Sequence, residues 1–397
     1  MSSMREPPVL RNHLPRDLVL NILANLPVKS VLRFRCVRKS WNSSITSPSF
    51  ISSHLKLNSS RRLLFMKCDR ILYDRQLCTV ICEHTFDRIS EFDIPFTWPK
   101  LVGSCNGLLC FSAKDGLYLL NPSIGKFKAV SLLSSSSSAG FSFVETGFCY
   151  HSETNDYKIV KISYYLGGTP PQAEIYSINS GSWKRLHPPF APDVLLFNIH
   201  TDLFLAPFVS GALHWMAYVR KGVREPARPF ILTFDVNEEK FGMMETPFAV
   251  IRSNLCRVFK GKLALTEEEG DPLLLHVWVM KEYGVHQSWT KLSVVPFHRV
   301  IRFNGYSDNG LLIVEKSYDI FSANGEVEIL LHHWQRRSMK RRNSTVEWMN
   351  LKRISIDIET LHEKDVGGNG IEDFRSGTNF IESLVLLDRA DMVPVRL

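Results

Sequence analysis

The chain has 397 residues, 44% of them apolar and 22% charged, which suits two or three domains with buried cores and excludes a globally disordered polymer. A net charge of +8 is modest for this length and does not by itself demand a nucleic-acid partner. No run reaches the ~18 apolar residues of a membrane span, Met1–Arg16 lacks a signal-like apolar stretch, and none of the eight cysteines form a C-x-x-C pair, so the expected setting is cytosol or nucleus with reduced thiols.

Leu14–Phe50 predicts three short helices. Pro15 suits a first helical turn, where its missing N–H costs nothing, and Asp17 favours that end of the dipole. Leu18, Ile22, Leu23 and Leu26 recur at helical spacing. Pro27 stops this helix and opens a second with Val28, Val31, Leu32 and Phe34 as its apolar positions. Val37, Trp41 and Ile45 lie four apart in a third, which Ser47-Pro48 ends. A unit of this size cannot bury a self-sufficient core, so it leans either on the rest of the chain or on a partner, and periodicity leaves both open.

The string Leu14-Pro15-x-Asp17-Leu18, then Ile22-Leu23-x-x-Leu26-Pro27-Val28-Lys29-Ser30-Val31-Leu32-Arg33-Phe34-Arg35-Cys36-Val37-x-Lys39-Ser40-Trp41, resembles the F-box motif over about 40 residues. The resemblance implies docking on the Skp linker protein and, through it, on cullin. Leu14 and Pro15 would enter the linker's groove. Leu18, Ile22, Leu23, Leu26 and Pro27 would form the apolar contact, and Val31, Leu32, Val37 and Trp41 would complete it. Some of these must instead hold the helices together, and sequence does not divide them. Arg38 departs from the residue often found there in plant members.

Residues 56–100 read as a connecting segment with short strands at Leu63–Met66 and Thr79–Cys82. Cys78, Cys82 and His84 lack a well-placed fourth metal ligand, so strand cysteines are expected and no metal or cofactor. From Leu101 the chain reads as all-β with a loose repeat. A turn at glycine precedes an apolar strand at Asn106-Gly107, Ser210-Gly211, Lys260-Gly261 and Asn309-Gly310, with Gly147-Phe148-Cys149-Tyr150 as a weaker copy. A hairpin follows each time: Tyr118–Asn121 to Phe127, Ile175–Asn179 to Trp183, Leu232–Asp235 to Phe241, Val277–Met280 to Trp289, and Ile320–Ser322 to Val327. A repeat of about 50 residues predicts a propeller of the kelch kind, with a sandwich or irregular barrel as the competing fold.

Gly103-Ser104-Cys105-Asn106-Gly107-Leu108-Leu109-Cys110, Asn121-Pro122-Ser123, Thr154-Asn155-Asp156-Tyr157-Lys158-Ile159-Val160 and Gly211-Ala212-Leu213-His214-Trp215 resemble the plant F-box-associated domain, type one, related to kelch repeats. Ile381-Glu382-Ser383-Leu384-Val385 resembles the family's closing strand, and residues 330–377 depart from its pattern. The expected fold class is therefore α+β: a three-helix F-box (12–55), the connecting segment (56–100) and an all-β, propeller-like substrate-binding domain (101–397).

Ser134–Ser138 reads as a surface loop, and Arg336, Arg337, Lys340, Arg341 and Arg342 as a solvated loop or a nuclear-import patch. No G-x-S-x-G, H-E-x-x-H, Walker or dinucleotide motif is present. Together with the F-box resemblance this implies a non-catalytic adapter of a Skp–cullin–F-box ubiquitin ligase that recruits an unknown target protein. The competing function is a free-standing propeller that binds nucleic acid through Arg336–Arg342.

Overall fold

The computed structural model describes residues 14–58, 62–68, 76–130, 142–165, 171–187, 194–196, 205–219, 228–249, 255–269, 274–296, 300–307, 309–317, 351–366 and 373–395. Four helices come first: α1 (Arg16–Ala24), α2 (Val28–Phe34), α3 (Lys39–Ile45) and α4 (Pro48–Leu57). The first three follow the apolar spacing, except that Val37, expected in the third with Trp41 and Ile45, lies before it in the turn after α2. The fourth starts at the pair that ends the third, because Pro48 opens its first turn and Ser47 Oγ accepts from the Phe50 N–H at 3.3 Å.

Six antiparallel sheets follow. Blade 1 contains β1 (Arg62–Cys68), β2 (Gln76–Cys82) and β3 (Arg88–Asp93); blade 2 contains β4 (Lys100–Cys105), β5 (Leu108–Ala113), β6 (Gly116–Asn121) and β7 (Lys126–Val130). Blade 3 contains β8 (Ser142–His151), β9 (Asp156–Tyr165), β10 (Gln172–Ser177) and β11 (Ser182–Leu186). In blade 4, β12 (Val194–Leu196) and β13 (Phe208–Val209) both pair with β14 (Ala212–Val219), and β15 (Arg228–Asp235) and β16 (Lys240–Glu245) follow. Blade 5 contains β17 (Leu255–Phe259), β18 (Lys262–Glu269), β19 (Leu274–Met280) and β20 (Trp289–Pro296). Blade 6 contains β21 (Val300–Tyr306), β22 (Leu311–Ser317), β23 (Leu351–Asp357) and β24 (Glu363–Asp365).

Two late strands return to the start. β25 (Asp373–Phe380) pairs with β1 and completes blade 1, and β26 (Val393–Pro394) pairs with β7. Strands β25, β4, β8, β14, β17 and β21 meet in turn, and β21 meets β25 again. The result is a six-bladed propeller closed by pairing the chain's early and late strands. The stretch read as a connecting segment supplies three strands of blade 1. The closing strand is β25, whereas Ile381–Val385, expected as that strand, runs just beyond it without strand pairing.

Each blade buries both faces, so successive residues of one strand enter different cores. Leu63 and Phe65 pack against Ile313 and Val366 of blade 6, while Leu64 and Met66 pack against Leu109 and Phe111 of blade 2. Ile159 faces blade 2 and Val160 faces blade 4. This is why the strands read as unbroken apolar runs rather than a clean alternation. Six apolar clusters fill the six seams between neighbouring blades.

The glycine repeat marks one rim. Asn106-Gly107 (φ 51 and 79) and Ser210-Gly211 (φ 51 and 77) carry the paired positive φ of two-residue hairpins between the first strands of their blades. In blade 3 that turn is Ser152–Asn155; Gly147, expected to be a weaker copy, lies inside β8. The last repeat also resolves differently. Blade 6 closes with β23 and β24, and Ile320–Val327 lies outside the described residues.

The same rim is stitched by polar contacts across the seams. Glu83 Oε1 accepts from the Asn309 N–H at 2.8 Å, and Asn106 Nδ2 donates to Tyr157 Oη at 3.1 Å. Lys158 Nζ donates to Glu239 at 2.8 Å, His214 Nε2 meets Tyr283 Oη at 2.9 Å, and Lys260 Nζ donates to Glu359 at 2.7 Å. Several residues of the sequence motifs, Asn106, Tyr157, Lys158 and His214, therefore join blades.

Candidate protein-docking site

The helical unit sits on this turn-bearing rim. Leu23, Ala24, Val28, Val31, Ile45 and Phe50 form one cluster with Leu384 and Leu387 of the C-terminal segment, and Ile124 of blade 2 packs on it. The carbonyls at the end of α1 are satisfied from α4: His54 Nε2 donates to Leu26 O at 2.9 Å and Asn58 Nδ2 to Ala24 O at 2.6 Å. His54 is fully buried, and burial pushes its imidazole below the ordinary histidine range. Arg35 spans the joint, with Nη2 2.6 Å from Asp388 and Nε donating to Asn42 at 2.8 Å. Arg62 pairs with Glu382 beside it.

The C-terminal segment is itself anchored by Asn121. This side chain is fully buried; Nδ2 donates to Ser383 O at 3.1 Å and Val385 O at 2.9 Å, and Oδ1 accepts from the Ser123 N–H at 3.0 Å. Gly107 lies against the same segment, where a Cβ would come within 2.5 Å of Ile381 O.

This packing divides the helical residues that sequence alone leaves undivided. Leu23 and Val31 are 2% and 0% exposed and belong to the internal core. Leu26, Leu32 and Trp41 are half-buried against it, Trp41 with its ring 5.7 Å from Phe34. Leu14, Leu18, Ile22 and Val37 are 62%, 51%, 53% and 63% exposed, and Pro15 and Pro27 are exposed with them. Leu18 and Ile22 lie four apart on α1 and form an outward stripe, and Leu14 is exposed just before the helix begins.

Family models match two parts of the chain: an F-box domain at residues 12–53 and an F-box associated β-propeller domain at residues 66–353. The chain belongs to the F-box associated β-propeller family. F-box protein CPR1 of Arabidopsis thaliana is 29% identical over 322 residues, covering 74% of this chain and 75% of that protein. F-box protein At3g07870 of the same plant is 29% identical over 317 residues, covering 70% and 71%. F-box/kelch-repeat protein At3g23880 is 28% identical over 305 residues, covering 72% and 80%. The helical unit of this F-box protein thus carries the exposed stripe on an F-box.

The rim away from the F-box holds the other connections. Ser317 and Leu351, which bracket the basic stretch, pair with each other at that end of blade 6. Arg336, Arg337, Lys340, Arg341 and Arg342 lie outside the described residues, as do Ser134–Ser138 and Gly367–Gly370. Cys78 is a core residue of blade 1 whose thiol is pushed far up by burial, and Cys82 lies at the edge of the following turn. Among the described residues no three His, Cys, Asp or Glu side chains converge as metal ligands, and no helix is long and apolar enough to cross a membrane.

Proposed function

We propose that this chain is the substrate-recognition adapter of a Skp–cullin–F-box ubiquitin ligase. The observation that carries the proposal is the exposed pair Leu18 and Ile22 on α1, with Leu14 and Val37 also exposed. These apolar side chains face outward although the unit's core is already closed by Leu384, Leu387 and Ile124. Burying three or four of them is worth about 5–10 kcal/mol before association costs, enough to anchor the Skp linker. Leu23 and Val31 act in holding the F-box together, and Leu26, Leu32 and Trp41 serve both faces.

The propeller then captures a target protein, and the rim away from the F-box suits that role because the longer connections between strands open there. The F-box, clamped through Leu384, Leu387 and Arg35–Asp388, keeps that rim at a fixed offset from the ligase. The chemistry belongs to the ubiquitin-conjugating enzyme. The adapter contributes proximity, raising the effective concentration of a target lysine near the loaded thioester. The protein acts in the cytoplasm, the nucleus or both, with Arg336–Arg342 as its import patch.

The test is co-purification of the Skp linker and cullin with the full-length chain, beside Leu18→Arg and Ile22→Arg. Both substitutions lie on the surface and leave the core intact. Loss of linker with unchanged thermal stability supports the assignment, and full retention removes it.

A further inference from the structure

Positive charge gathers in two stretches, the five cations of Arg336–Arg342 and the F-box. Residues 14–58 hold seven Lys and Arg side chains against a single carboxylate, Asp17, a net of +6 over 45 residues. Arg35 is paired with Asp388, and Arg16 donates to Ser44 Oγ at 2.9 Å. Lys29, Arg33, Arg38 and Lys39 are exposed, and no carboxylate pairs with them among the described residues. Lys29, Arg33 and Val37 follow one another at four-residue spacing along α2 and the helical turn that extends it, where Val37 N–H donates to Phe34 O. Basic and apolar groups therefore share one outward face.

Four neighbouring cations on so small a unit repel one another, and no fold contact in the described structure repays that cost. Exposed cations with an exposed Val37 among them fit a protein partner with the opposite charge. A nucleic acid would meet Val37 in the middle of the basic row, and the short α2 offers no exposed aromatic ring for a base. We infer that Lys29, Arg33, Arg38 and Lys39 form an electrostatic steering face, and that the surface of the Skp linker which receives the F-box is acidic around its apolar groove. This rests on the adapter reading above. The apolar stripe sets how long the complex lasts, and the basic face sets how fast it forms. Opposite potentials raise encounter rates by about 10–1,000-fold, and salt removes the gain.

The test is the association rate of the full-length chain with a plant Skp linker at about 50 mM and about 300 mM salt, between which the Debye length shrinks about 2.5-fold. The wild-type on-rate falls about tenfold across that range. The double reversal Lys29→Glu/Arg33→Glu slows association about tenfold at low salt, flattens the salt dependence and changes the off-rate less than about threefold. The charge-conserving pair Lys29→Arg/Arg33→Lys restores wild-type kinetics. Equal on-rates for wild type and reversal at low salt, with normal binding, overturn the steering face and leave the adapter reading standing. No linker binding by any form overturns both. A short DNA duplex bound by wild type but not by the reversal, with linker kinetics unchanged, transfers the face to nucleic acid and overturns the proposal.

Discussion

Asn121→Ala cuts the tie between the propeller and the segment that seats the F-box. Asn121 is fully buried and makes four hydrogen bonds, two of them to the carbonyls of Ser383 and Val385. Alanine leaves both carbonyls without this donor in a dry site, at about 1–3 kcal/mol each, so the local cost is about 2–5 kcal/mol. Because Leu384 and Leu387 lie in the same short segment and cap the F-box core, the loss spreads into α1, α2 and α4. A global unfolding curve blends an F-box with a propeller and need not be two-state. Hydrogen exchange resolved along the chain is therefore the assay. Amides of residues 383–392 and of the F-box helices exchange about 30- to 4,000-fold faster in the variant, the fold-change that corresponds to that free energy. Blades 4 and 5, on the far side of the ring, keep their protection. Asn121→Asp has a similar size but presents a carboxylate to the same two carbonyls, and its effect is at least as large. A change below about threefold in the segment for Asn121→Ala would refute the anchoring role.

Other substitutions test the fold and its rim. Gly211→Ala meets nothing within 4 Å and carries only the positive-φ penalty of about 1 kcal/mol, whereas Gly107→Ala adds a clash with Ile381 O and costs about 2–4 kcal/mol; parallel denaturation curves separate them. His214 is fully buried, Nδ1 donating to Pro207 O and Nε2 accepting from Tyr283, and burial holds its pKa down to about 4 against an ordinary 6.5. The unfolded chain takes up this proton first, so the contribution of His214 is complete above about pH 6.5 and falls by roughly 3 kcal/mol as the pH drops toward 4. His214→Phe should remove that part of the acid dependence of the melting temperature, and an unchanged slope would count against the buried neutral imidazole. Leu23→Ala empties a core position and costs about 2–5 kcal/mol of F-box stability, whereas Leu18→Ala, on the outward stripe, stays within about 0.5 kcal/mol by local hydrogen exchange.

Much of this architecture is legible in the sequence because it rests on local chemistry. Leu18 and Ile22 declare a helix by spacing, and Asn106-Gly107 declares a tight hairpin by the positive φ that few residue pairs tolerate. What is not legible rests on contacts between distant residues. Nothing near Leu63 or Thr79 reveals that these strands complete a blade with β25, about 310 residues later, because ring closure leaves no local pattern. The last repeat is misplaced for a related reason: residues 318–350 separate β22 from β23, so the blade's halves do not adjoin in sequence. Ile381–Val385 looks like a strand because Leu384 and Val385 are apolar, but their burial serves the F-box core and the seam between blades 2 and 3. The division of the F-box positions into Leu23 and Val31 inside and Leu14, Leu18, Ile22 and Val37 outside needs to know what covers each helix. The signal for α4 was present, since Ser47-Pro48 both ends one helix and caps the next.

Whether the exposed stripe of the F-box holds the ligase linker is read from a calorimetric titration of the full-length chain with a plant Skp linker, wild type against Leu18→Arg/Ile22→Arg. Wild type binds, and the variant loses at least about 100-fold in affinity, equal to roughly 3 kcal/mol of lost apolar burial, with the melting temperature unchanged. Equal affinity of the two forms, or no binding by the wild-type chain, would contradict this role of the stripe.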